Sequence, residues 1–114
     1  MLHITPEMMY AAYEYLRTTP PFLKWKLPPA DEITFKVTMK DDPVGSYSYD
    51  EGHIIAASYA KIGHTHTLLS LIAHEMVHMY RRLLGHTLWY NHNAEFRKLG
   101  RQISRVHGFD PKEF

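Results

Sequence analysis

Apolar and polar residues alternate through "ITFKVTMK" (33–40), with Ile33, Phe35, Val37 and Met39 interleaved by Thr34, Lys36, Thr38 and Lys40. A period of two predicts a half-buried strand with one wet face. "DDPVG" (41–45) then predicts a turn, and "SYSYDEGHIIAAS" (46–58) a hairpin that bends at Asp50-Glu51-Gly52 and returns along "HIIAAS". Before these strands the period is helical: Met8, Ala11, Ala12, Tyr15 and Leu16 recur on one face up to about residue 18. Thr5-Pro6-Glu7 supplies that helix with a capping hydroxyl, a proline at its first position and an acid in its first turn. Two Pro-Pro pairs in "TTPPFLKWKLPPADE" (18–32) predict an extended, stiff connector, too short to separate two domains.

The strongest helical pattern is "THTLLSLIAHEMVHMYRRLLG" (65–85), with Thr65 or Thr67 as its cap and Gly85 as its left-handed stop. Leu68, Leu69, Ile72, Ala73, Met76, Val77, Met79, Tyr80, Leu83 and Leu84 fill a broad apolar arc. His74 and His78 lie on the other side with Thr67, Ser70 and Arg81. The loop "HTLWYNH" leads to a last helix near 93–107, whose stripe is Phe96, Leu99, Ile103 and Val106 and whose stop is Gly108. Residues 1–114 thus predict a single α+β domain, with a small sheet of about three strands packed on a long helix between N- and C-terminal helices.

Composition narrows the chemistry. The chain has no cysteine, which excludes disulfides, thiol catalysis and thiolate-bound metal, so any metal falls to His, Asp or Glu. No basic, apolar leader and no membrane-length apolar run is evident, so the expected location is the cytoplasm, with no membrane partner. The net charge is only +1, but it is unevenly spread. Residues 1–51 hold five Lys/Arg against eight Asp/Glu, and residues 52–114 hold eight against four. Arg81, Arg82, Arg97, Lys98, Arg101 and Arg105 make a C-terminal basic cluster, which suits either a solvated helix face or an anionic partner such as DNA.

Within "LIAHEMVHMYRR" (71–82) stands His-Glu-x-x-His. Four residues of helix bring His74 and His78 about 40° apart on one face, within reach of one ion. Glu75 falls beside that face, where it can take a proton from water rather than bind metal. In a chain of nine histidines the pattern alone is weak, and a third ligand must decide. His92 has chain enough to fold back, His86 would need a tight return to reach His78, and Glu95 would give a two-histidine, one-glutamate site. Tyr90, His86 and Arg82 are candidate donors to an oxyanion, and Glu95 a candidate partner for His92. His64 and His66 have no acid beside them and read as exposed residues rather than a second metal site.

The run "LIAHEMVHMY", followed by "HNAEF" fourteen residues after His78, resembles the SprT-like metalloprotease domain, which includes the Spartan DNA–protein crosslink proteases. The likeness covers roughly residues 44–106, with Asn93 where the family often has glycine and no cysteine-rich zinc ribbon after the domain. It implies a zincin-like fold with His74, His78 and His92 on zinc, Glu75 as general base, and Phe96 as the aromatic that packs the following helix. The activity implied is a zinc metalloendopeptidase that hydrolyses peptide bonds with metal-activated water, with DNA-associated proteins among the expected substrates. By analogy with zinc peptidases, "HIIAAS" would present the sheet edge to an extended substrate. The competing expectation is a DNA-associated binding module whose zinc serves folding alone.

Overall fold

The computed structural model describes residues 3–40, 43–59, 64–112 and 114. Asp41 and Asp42 of the expected turn lie outside these. The chain folds as α+β, with α1 (Pro6–Arg17), β1 (Ile33–Thr38), β2 (Gly45–Tyr49), β3 (His53–Ser58), α2 (Thr65–Leu83) and α3 (Ala94–His107). Thr5 caps α1 by accepting the Met8 N–H, and Pro6 opens its first turn. Gly85 and Gly108 follow α2 and α3 with φ of 84° and 77°, the left-handed backbone that glycine adopts without a steric cost.

The sheet is mixed, in the order β1-β3-β2. β2 and β3 form the expected antiparallel hairpin, with Tyr47 opposite Ile55. β1 runs parallel to β3, pairing Ile33 with His53 through Thr38 with Ser58. β3 is therefore the central strand, hydrogen-bonded on both flanks. The expected peptide-binding edge cannot be "HIIAAS", because its backbone groups are already spent within the sheet. The edges are β1 and β2.

Three expectations change in detail. The proline-rich connector is not extended throughout: it holds one-turn 3-10 helices at Phe22–Lys24 and Ala30–Glu32. Proline fixes φ alone, and Pro21 at φ −82°, ψ −6° takes the helical branch. β1 stops at Thr38, and Met39, beyond it, is 75% exposed. His64, with extended backbone and no side-chain cap, precedes α2, because Thr65 is already its first helical residue.

The core joins Met9, Tyr13 and Leu16 of α1 to Ile72 and Met76 of α2 and to Ile55 and Ala57 of β3. The connector is drawn into it: Phe22 is fully buried, Trp25 stacks on Tyr80 at 4.1 Å, and the Tyr13 hydroxyl donates to the Pro28 carbonyl. β2 approaches α2 closely at Gly45, where a Cβ would collide with the Leu71 side chain. No helix among the described residues is long and apolar enough to cross a membrane.

The middle of α2 is largely enclosed. Glu75, His78 and Arg81 are buried together with Ile72, Met76 and Met79. The face that the apolar pattern leaves out is covered by the 84–93 loop and α3. At the end of α2 Leu83 is exposed, as are Leu84 after it and Val106 on α3.

Candidate metal centre

Helix α2 sets His74 and His78 one turn apart, and their Nε2 atoms lie 3.3 Å from each other. The loop after α2 brings in His92, whose Nε2 stands 3.2 Å from that of His74 and 3.1 Å from that of His78. The three nitrogens form a nearly equilateral triangle, and these three histidines are close enough to hold one metal ion. His86 and Glu95 are not part of the group. They face each other instead, with His86 Nδ1 3.9 Å from the Glu95 carboxylate, so Glu95 does not orient His92. His66 packs its ring against Phe109, away from the triangle.

The tautomers follow from what lies behind the rings. His74 Nδ1 is 2.8 Å from the backbone oxygen of Phe114, and His78 Nδ1 is 2.9 Å from the Trp89 carbonyl. Both oxygens can only accept, so each Nδ1 carries the proton and each Nε2 presents a lone pair. Burial also favours the neutral rings, pushing His74 down to about 4 against the opposing effect of its Phe114 bond. His78 is likewise lowered, chiefly by burial. The 3.3 Å contact between them is therefore no hydrogen bond, and one proton on His92 can satisfy only one of the two. Lone pairs converging in this way repel unless a cation sits among them.

Phe96 forms the floor beneath all three rings, with centroids 4.8 Å from His74, 4.8 Å from His78 and 4.7 Å from His92. It is buried at the first turn of α3, where Asn93 accepts its N–H. A dry, rigid floor holds the rings in one geometry.

Glu75 lies in the wall of a cavity of about 330 Å³, which it shares with His74, Gly45, Thr67, Ser70 and Phe114. Its carboxyl makes no hydrogen bond with the described residues, and burial pushes it up to about 8. None of the candidate oxyanion donors lines this cavity. The Arg82 guanidinium lies 3.9 Å over the Tyr49 ring, Tyr90 is exposed, and His86 faces Glu95. Thr67 and Ser70 are the hydroxyls that do line it.

Arg81 corrects the basic cluster. It is 1% exposed and donates from Nη1 to the Asn91 carbonyl at 2.7 Å, while its Nε has no partner among the described residues. A guanidinium so enclosed cannot meet DNA. It ties the loop to α2 one residue before His92. Arg97, Lys98, Arg101 and Arg105 do stand exposed on α3. Arg81→Ala is expected to destabilise the protein by about 3–5 kcal/mol, through the cavity and the stranded carbonyl. Arg81→Met keeps the volume and is expected to recover most of that stability, yet to weaken metal retention about 10–100-fold by freeing the loop. Urea denaturation of the metal-free protein and chelator competition read the two effects separately. Undiminished metal affinity in Arg81→Met would show that the Asn91 tether does not place His92.

No protein-family model, curated protein or solved structure matches the chain. Sequence had named all three histidines. It had not found Phe114 and the Trp89 carbonyl behind them, or the role of Arg81, since each depends on where distant backbone comes to lie.

Proposed function

We propose that the chain is a zinc-dependent metalloendopeptidase of the SprT-like, zincin-like kind, with His74, His78 and His92 as the zinc ligands and Glu75 as the general base. The observation that carries this reading is the triangle of Nε2 atoms at 3.1–3.3 Å with two of its tautomers set by backbone oxygens. Tetrahedral zinc with bonds of about 2.0–2.1 Å spaces its ligand nitrogens by roughly 3.3–3.4 Å, so the side chains fit it with little adjustment. Three protein ligands also leave a fourth position open, as catalytic rather than structural zinc sites do.

Zinc held there supplies Lewis acidity, acidifying water and polarising a carbonyl. The chain's own residues would do the rest. Glu75 shares a cavity with His74, and a zinc ion held beside it would favour its carboxylate form against the effect of burial, so that it could accept a proton from water and return it to the leaving amine. The Phe114 and Trp89 oxygens hold the imidazoles against rotation. Phe96 excludes water from behind them.

The exposed arginines of α3 favour a second reading, a DNA-associated module with zinc for folding only. A carboxyl that lines the cavity beside the proposed ligands favours proteolysis, because a purely structural site gains nothing from one. The test is direct: zinc-loaded protein is expected to cleave unfolded casein, a chelator to stop it, and added zinc to restore it. Stoichiometric zinc with no cleavage of casein or of a peptide library, with or without DNA, would refute the proteolytic reading.

A further inference from the structure

A second cleft, of about 450 Å³, opens on the other side of Phe114 and begins at His92 itself. Its floor is apolar, made by Phe96, Gly100 and Phe114, and its rim carries Arg97, Arg101 and Lys112. Gly100 is what lets Phe114 form that floor, since a Cβ there would stand 2.6 Å from the Phe114 ring. Arg97 donates from Nη1 to the His92 carbonyl at 3.0 Å, which holds its guanidinium beside the metal ligand. Arg101 lies one helical turn further along the same wall. Among the described residues no carboxylate lies within ion-pair distance of Arg97, Arg101 or Lys112. The Asp110 carboxylate is nearby, but it accepts the Lys112 backbone N–H.

We propose that this cleft is a specificity subsite for a carboxylate of the peptide substrate, held by Arg101 and Arg97 within two residues of the bond that is cut. The inference rests on the proteolytic reading above and adds the class of substrate. An apolar floor under a cationic rim matches a glutamate or aspartate, whose methylenes pack while its carboxylate meets the guanidinium fork. A chain-terminal carboxylate offers the same chemistry. A nucleic acid backbone is the poorer match: it wants cations along an outward face, as Lys98 and Arg105 stand, whereas Arg97 and Arg101 line a concave cleft that begins at His92.

Matched peptides test it, with Glu or Gln at each position flanking the cut and with a free or amidated C-terminus. For the zinc-loaded wild type, kcat/KM is expected to favour the carboxylate by about 10–100-fold at one position. A Glu/Gln ratio assigns the carboxylate to a side chain, and an acid/amide ratio assigns it to the chain terminus. The ratio should fall toward unity in Arg101→Gln and turn in favour of lysine in Arg101→Glu. Lys36→Gln, which removes the same charge from β1 outside the cleft, should keep it. Binding of the same labelled peptides to zinc-loaded Glu75→Gln, by fluorescence anisotropy, reads the subsite without turnover. Carboxylate-selective binding without cleavage by the wild type would sink the proteolytic reading and leave the subsite standing. Cleavage without carboxylate preference would overturn the subsite alone, and so would failure to discriminate in both assays. Binding of a single-stranded oligonucleotide that Arg101→Gln abolishes, with no preference among the peptides, would give these arginines to nucleic acid and overturn the proposal.

Discussion

Zinc-loaded Glu75→Gln is expected to cleave peptide about 10²–10⁴-fold more slowly than the wild type, the range that a positioned general base contributes, while binding zinc with unchanged affinity. The substitution keeps the side chain's size and removes only its ability to take a proton. Glu75 makes no hydrogen bond with the described residues, so its replacement breaks none that the fold depends on. Because Glu75 is not one of the metal-competent group, the three nitrogens should hold their ion as before. Metal content by elemental analysis and initial rates on a fluorogenic peptide separate the possibilities. Undiminished cleavage would place the base elsewhere, and loss of zinc would make Glu75 a ligand.

His92→Ala carries the next largest effect, a fall in zinc affinity of roughly a thousandfold, about one ligand's share of the binding free energy. His92 is the cleanest of the three to remove. It is exposed on the loop, whereas His78 is buried and His74 half-buried, both bonded to backbone oxygens behind them. The metal-free fold should therefore survive its loss, and thermal melting with chelator present would verify that. His86→Ala and Glu95→Gln, the alternatives left open by spacing alone, should retain wild-type affinity in the same chelator competition. Wild-type affinity in His92→Ala would sink the assignment. In the wild type, zinc at a thousandfold excess over its dissociation constant should add about 4 kcal/mol to stability, and His92→Ala should forfeit most of that gain.

Local pattern was sufficient for what depends on neighbours in the chain. The α1 cap, the glycine stops after α2 and α3, the β2–β3 hairpin and the shared face of His74 and His78 all follow from spacing and backbone preference over a few residues. Where a segment's fate depends on what packs against it, the pattern misled. In sequence Arg81 looks like one more surface charge because it falls on the polar side of α2 with Thr67 and Ser70; a covering loop makes it an interior tether. "HIIAAS" reads equally well as an edge or a central strand, because alternation reports faces and says nothing of flanks. Only the parallel pairing with β1 places it in the middle.

The candidate site divides in the same way. Sequence alone determined that two imidazoles and a carboxyl share one helix, since the rotation per residue is a property of the backbone. It also determined that no thiol could compete for a metal. Only the tertiary structure brings His92, rather than His86 or Glu95, up to the other two histidines, because closing a loop depends on where its far end is anchored, here by Arg81 and by Phe96 beneath the rings. It alone set the protons on His74 and His78, through oxygens 40 and 11 residues away in the chain. A candidate pair of ligands on one helix can be written locally. Its tautomers, its floor and the cleft beside it are set by contacts between segments remote in sequence.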